Sequence, residues 1–522
     1  MMRNNTTPES GSDVLTRDGI LPSLWQQAAR GSSMPLNASG AGADRTWDAL
    51  IVGGGITGLT TALLLQEAGL ACAIAEAHLV GFGTTGGTTA HINTMLDTPY
   101  HTIENNFGTS GAEIVANAAR AARDLIARNV FHYQIACDFE YKEGILFAQT
   151  EKEAAELEKI YSASQRAGVD VDRTSHVPVP LEFQTAIAYH KQAQMHPLRY
   201  VYALADRFVR NGGVIFEHTR VMGSTRKGDL HQIETTDQPL KSRRIVYATH
   251  IPPGLNMLHL RCAPYRSYVL AVQLADGKYP TDLAYDMQEP YHYFRTHVVN
   301  DTPYLIIGGE DHKTGHGSPT RAFQSLEAYA RTHFQLSSVD FRWSAQYFEP
   351  TDGLPYIGTL PGADEDTYVA TGFSGNGILF GSFSGLLLAD LILGRENPGE
   401  KMFSPSRIKP VAGFTNFVKE NADVAYRFVS DRFGTEQLEA LIELAPGTGA
   451  VVNYEQEKIA LYKSPNGKVS ALSPVCTHAG CIVAWNDAEK TWDCPCHGGR
   501  YDVYGNVLTG PPRKNLQTIP IS

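Results

Sequence analysis

Apolar and polar positions are unevenly distributed along the chain, and the first sharp change comes at Trp47. Residues 1–46 are rich in Ser, Thr, Gly, Asn and Pro, which predicts a flexible or surface-draped lead-in. From Asp48 the run Ala-Leu-Ile-Val is apolar throughout, as in a strand buried on both faces, and it leads into Gly53-Gly-Gly55. Ile56 to Ala68 reads as a helix and Leu70 to Glu76 as a second buried strand, so the segment predicts a βαβ unit. Mixed helix and strand follows to about residue 400, with a strand-rich stretch over 259–312 carrying Tyr265, Tyr268, Tyr291 and Tyr293. After Pro410 a polar, helix-like connector (Phe414 to Leu444, within residues 409–444) stops at Pro446-Gly447. Residues 445–522 show short strands between turn signals such as Ser464-Pro-Asn-Gly and Tyr504-Gly-Asn, the texture of a small all-β unit. No internal repeat or low-complexity tract interrupts this order.

At 522 residues the chain is too long for one core, and roughly two to four domains are expected. The balance of 44 basic and 55 acidic residues gives a net charge of −11, with no basic run. That argues against a nucleic-acid or anionic-membrane surface, since both need clustered positive charge. The first residues are polar, and nowhere do 18 apolar residues run together, so no membrane span is expected and the cytoplasm is the expected location. Three cysteines, Cys72, Cys137 and Cys262, are scattered, while Cys476, Cys481, Cys494 and Cys496 fall within 21 residues. Scattered cysteines read as small buried hydrophobes; a cluster calls for chemistry.

Gly53-Gly-Gly55-Ile56-Thr57-Gly58 fits G-x-G-x-x-G, with a strand before it, a helix after it and Glu76 ending the next strand. In that context Gly53 permits the tight turn, Gly55 lets backbone approach a pyrophosphate, and Gly58 lets helix and strand pack closely. The helix N-terminus then holds the phosphates and Glu76 accepts from ribose hydroxyls. The competing reading is a glycine loop in an α/β fold that binds no nucleotide, and the motif alone does not separate FAD from NAD. Three further segments extend it: Gly81 to His91 with Gly83, Thr84, Thr85, Thr88, Thr89 and Ala90; Ala248-Thr249-His250 after a strand; and Gly372-Phe-Ser-Gly375-Asn376-Gly377-Ile378 before a helix. With Asp352-Gly-Leu-Pro-Tyr-Ile-Gly358 they make the region from 47 to 408 resemble the D-amino-acid oxidase superfamily, which includes glycine, sarcosine and γ-glutamylputrescine oxidases.

The resemblance implies an α/β, Rossmann-type FAD-binding domain built from about 47–130, 190–255 and 345–400. A mixed β-sheet substrate domain, mainly 131–189 and 256–344, would be interleaved with it. It places the flavin ring near Thr84–Thr89, Val221 on the adenine side, and Gly375–Ile378 at the pyrimidine end. No cysteine lies between Cys262 and Cys476, so non-covalent FAD is expected. The matching substrate face carries Tyr291, Tyr293 and Arg295 at period-2 spacing, where the arginine could pair with a substrate carboxylate; a ligand-free tyrosine–arginine ladder is the alternative. Sarcosine oxidases place a lysine over the flavin, and alignment on Gly308 puts Ile306 there, which would favour a dehydrogenase over an oxidase.

The four clustered cysteines come with two histidines, as Cys476-Thr-His478-Ala-Gly-Cys481 and Cys494-Pro-Cys496-His497. A Cys₂His₂ zinc site usually pairs cysteine with cysteine and histidine with histidine, whereas each loop here mixes them. The pattern resembles that of Rieske proteins, in which two thiolates hold one iron and two imidazoles the other. The resemblance implies Cys476 and Cys494 as thiolates, His478 and His497 as imidazoles, a Cys481–Cys496 disulfide between the loops, and Gly510-Pro-Pro512 as a covering loop. Tyr501 is present where such proteins bond a cluster sulfur, but Gly499 replaces a serine, so a potential below the top of the Rieske range is expected and Gly499→Ser should raise it.

The expected function is oxidation of a small amine or amino acid at its C–N bond by FAD, with electrons relayed through the cluster to an external acceptor. The alternatives are a cluster fed by an external donor that reduces the flavin, and a non-catalytic redox sensor. A Rieske oxygenase needs a mononuclear iron triad, and its nearest candidate, His312 and His316 with Glu310 or Asp311, reads as a solvated glycine-rich loop.

Overall fold

The computed structural model describes residues 17–29, 44–407, 444–454 and 457–520. The strands Ala49–Val52 and Cys72–Ala75, buried at every position, lie parallel and adjacent in a six-stranded sheet with Val214–Phe216, Ile245–Tyr247, Thr367–Thr371 and Tyr356–Thr359. Helices Ile56–Glu67 and Gly377–Ile392 are apolar nearly all round, as buried helices are, and both begin beside the glycine turns. A four-stranded sheet from Thr46–Trp47 and residues 221–242 packs alongside. The second large sheet has nine strands and runs from Leu336–Pro350 through Cys262–Leu274, Thr302–Lys313 and Tyr293–Val299 to Glu140–Ala148 and Thr185–Gln194. Two small antiparallel sheets, of three and four strands, make up residues 448–509. The connector Phe414–Leu444 lies outside the described residues except for Leu444.

The segment 17–29 differs from the expected loose lead-in. Ser23 caps a short helix, Leu24–Ala28, in a capping box with Gln26, and Leu24 and Trp25 are buried. Ser23 Oγ donates to Gly86 O at 2.5 Å and Trp25 Nε1 to Thr88 O at 2.6 Å. The polar residues that suggested solvent exposure instead meet partners far away in sequence. Arg266 Nη2 donates to Asp18 Oδ1 at 2.7 Å, and Arg500 Nη1 donates to Asp18 O at 2.6 Å. Arg500 also bonds Glu489 Oε2 at 3.0 Å and Asp493 Oδ2 at 2.5 Å, with all three side chains of that exchange enclosed. Removed from water, these charges persist only because each finds an opposite partner. The network joins the lead-in, the large sheet and the C-terminal unit.

Candidate active site

The glycine turn is shaped by contacts that leave no room for a side chain. Gly53 sits at φ +111°, and a Cβ there would come within 2.5 Å of Ala248 O; at Gly58 it would come within 1.9 Å of Gly53 O. Glu76 Oε2 accepts from Gly54 N at 2.7 Å and Oε1 from His78 N at 2.9 Å; burial raises this carboxyl's pKa while the two N–H donors oppose the rise. Gly53, Gly55, Ile56, Thr57 and Glu76 face one cavity together with Gly83, Thr84, Thr85, Thr88 and Thr89. Val221, Ala248, Thr249, Gly375, Gly377 and Ile378 line the same space, and a Cβ on Gly377 would meet nothing within 4 Å. Gly58, Ala90 and Asn376 do not line it. Asn376 Oδ1 instead accepts from Asp97 N at 2.9 Å. A glycine cradle at a helix N-terminus, continuous with an open cavity, fits a flavin dinucleotide. One lining residue has no motif around it: Arg17 reaches the Thr84 hydroxyl and lies 3.0 Å from His250 Nδ1.

Of the three substrate-face candidates only Tyr293 borders the cavity, alongside Ser267, Val269, Ala345, Gln346 and Tyr347. Its hydroxyl is 2.8 Å from Ser267 Oγ, and its ring lies so close over Gly308 that an added Cβ would fall 1.9 Å from it. Tyr291 precedes the strand, its ring 5.8 Å from that of Tyr293. Arg295 faces the same way as Tyr293 but is fully enclosed. It donates to Thr89 O at 2.6 Å and Ala90 O at 3.0 Å, and it contacts His297 Nδ1 at 2.7 Å. The guanidinium therefore braces the threonine-rich turn, which corrects its reading as a carboxylate clamp. Spacing gave the face; it could not give the loop that folds over it. Ile306 pairs opposite Arg295 inside the sheet and does not line the cavity.

Asp311 was missed for the opposite reason. Glu310 at φ +57° and a register shift against Arg266/Tyr268 form a bulge that turns Asp311 inward, where a smooth strand or loop would leave it solvated. Burial pushes its carboxyl up to about 7, against the lowering effects of Ser267, Tyr347 and Tyr291, and the Tyr347 hydroxyl donates to Oδ2 at 2.9 Å. Asp97, raised to about 6 by burial, accepts from Gly375 N and adds to the electrostatic pressure on Asp311.

In the C-terminal unit the two ligand loops face each other. Cys481 and Cys496 form a disulfide, and the His478 and His497 rings lie 4.9 Å apart. Both histidine Nδ1 atoms are buried without a hydrogen-bond partner, and Cys476 and Cys494 are buried free thiols. Two orphaned imidazole nitrogens and two enclosed thiols form a donor set suited to a metal centre. Cys476 Sγ is 3.2 Å from the Tyr501 hydroxyl. At Gly499 an added Cβ would meet Pro512 Cδ at 2.9 Å, so Gly499→Ser requires the covering loop to move.

This centre sits against the flavin cavity. His478 Nε2 is 3.2 Å from Gly254 O, and Gln346, which lines the cavity, donates through Nε2 to Gly498 O at 3.1 Å. His259, between the Ala248–His250 turn and the large sheet, places its ring 4.6 Å from His478 and 5.8 Å from His497. No sequence pattern marked His259, because its role comes only from docking.

Comparison with known proteins agrees with this geometry. Residues 48–391 match the family model for FAD dependent oxidoreductase, and residues 438–520 match that for the Rieske [2Fe-2S] domain. The chain is 32% identical over 482 residues to the putative Rieske 2Fe-2S iron-sulfur protein YhfW of Bacillus subtilis, covering 92% of this chain and 94% of that one. It is 26% identical over 371 residues to gamma-glutamylputrescine oxidoreductase of Escherichia coli, covering 67% and 84%. Glycine oxidase from Geobacillus kaustophilus shares the fold with a TM-score of 0.58 at 21% identity, over 70% of this chain and 99% of that one.

Proposed function

This chain belongs to the FAD dependent oxidoreductase family and carries a Rieske [2Fe–2S] domain, and from that premise we propose that it oxidises the C–N bond of a small amine and passes the electrons through its own cluster to an external acceptor. FAD, when bound, supplies the two-electron acceptor for the substrate's hydride, and the cluster supplies a one-electron outlet. Gly53–Gly58, Glu76 and the Gly375–Ile378 turn would hold the dinucleotide, and Cys476, Cys494, His478 and His497 would hold the iron pair.

The observation that carries the reading is the shared wall. The His497 loop contacts a residue of the flavin cavity at Gln346, and His478 contacts Gly254, next in the chain to the lining residue Pro253. A relative that acts on gamma-glutamylputrescine supports an amine as substrate.

An amine in water is largely an ammonium ion, and hydride loss from the adjacent carbon needs the nitrogen lone pair. A base must therefore take one proton as the substrate binds. Asp311 is suited to accept it. Burial pushes its carboxyl up to about 7, and Tyr347, on the cavity wall, donates its hydroxyl to it. The product imine is released to hydrolysis by water.

Anaerobic mixing with a panel of amines and amino acids tests the proposal. The expected record is flavin bleaching followed by the rhombic EPR signal of a reduced histidine-ligated cluster. A cluster that stays oxidised while the flavin is bleached removes the relay from the account.

A further inference from the structure

The flavin cavity has a wall that does not belong to the oxidoreductase domain. Leu508 and Thr509, at the end of the strand Val507–Thr509, and Gly510, Pro512 and Arg513, in the covering loop and just after it, line it. The loop is anchored from both sides. Gly254 N donates to Pro511 O at 3.2 Å, Arg220 Nη2 to Val507 O at 3.1 Å, and Arg513 Nη2 to Pro253 O at 2.9 Å. Arg513 Nε is buried and has no partner.

The charges of the lining point to the ligand. Arg17, Arg220 and Arg513 face the cavity, and Glu76 is the one carboxylate among the described residues that line it, an excess of cation that matches a dianionic pyrophosphate. Two of those arginines come from outside the oxidoreductase match at 48–391: Arg17 from the lead-in, whose carbonyl accepts from Thr509 Oγ1 at 3.5 Å, and Arg513 from the cluster domain.

We propose that the cluster domain completes the flavin dinucleotide site, its Leu508–Arg513 loop closing over bound FAD with the free donor of Arg513 directed to the diphosphate-bearing part of the cofactor. Domain docking and FAD binding are then one linked equilibrium, since a ligand that binds only the docked arrangement stabilises it. The cluster loop cannot leave without exposing the flavin, and FAD loss weakens the docking of the loop.

Two measurements on the full chain test this. In wild-type protein with the cluster intact, hydrogen exchange of residues 505–513 should slow when FAD is restored to the apoflavin form. For Arg513→Ala, titration of apoflavin protein with FAD should give roughly tenfold weaker binding, with iron content and cluster EPR unchanged. Arg513→Lys should recover part of the affinity, because it restores the charge without the fork. FAD-independent exchange of the loop, or an Arg513→Ala variant that binds FAD as tightly as wild type, would overturn the proposal. The exchange measurement stands even if the variant fails to fold.

Discussion

Asp311→Asn keeps the shape of the carboxyl while removing its ability to accept a proton, and it should move activity and stability in opposite directions. In the folded chain the carboxyl titrates at about 7 in place of its ordinary 3.8, with burial as the largest cause. The folded state therefore holds this proton more tightly than the unfolded chain. Its contribution to stability is complete below the unfolded value and is lost as pH rises towards 7. Inside that window one proton is worth about 1.36 kcal/mol per pH unit, falling to half that slope at the folded value, so raising pH from 5 to 7 costs wild type about 2.3 kcal/mol that Asp311→Asn does not lose. Urea unfolding at the two pH values, followed by flavin fluorescence, reads that difference. On the activity side, wild-type kcat/KM for an amine should climb about tenfold from pH 6 to a plateau above 7. The variant should lose that inflection and fall by about a hundredfold or more at pH 8. A variant with near-normal kcat/KM at pH 8, or a stability gap that does not change between pH 5 and 7, refutes the assignment.

Two further changes probe the frame around this chemistry. Arg500→Met leaves Glu489 and Asp493 without their buried cation, and should cost about 3–5 kcal/mol in urea unfolding followed by cluster absorbance. Tyr501→Phe removes the hydroxyl beside Cys476 Sγ and should lower the cluster potential by about 40 mV in a redox titration, the one-electron equivalent of a hydrogen bond of about 1 kcal/mol.

The sequence was most legible where local pattern and chemistry coincide. The βαβ unit around Gly53–Gly58 combines an all-apolar strand, a glycine turn and a helix within thirty residues, and Cys476, His478, Cys494 and His497 mark themselves by spacing. Period-2 spacing correctly gave Tyr293 and Arg295 a common face but not the occupant of that face, which is a carbonyl-lined turn from elsewhere in the chain. Asp311 depended on a bulge, which shifts side-chain direction without any composition signal. Arg17, His259 and Arg513 were invisible for a common reason. Each acquires its surroundings from the docking of one unit on another, and Asp18, Arg266 and Arg500, which meet in one buried network, are separated by hundreds of residues. Polar composition said that residues 17–29 avoid apolar surroundings; it did not say that their partners would be buried too.

The proposed relay moves reducing equivalents from flavin to cluster within one chain. Stopped-flow reduction by substrate under anaerobic conditions, repeated over a wide range of protein concentration, tests it directly. Transfer within one chain requires that the cluster is reduced after the flavin at a first-order rate that does not change with concentration. A rate proportional to protein concentration, or no cluster reduction at all, would contradict it.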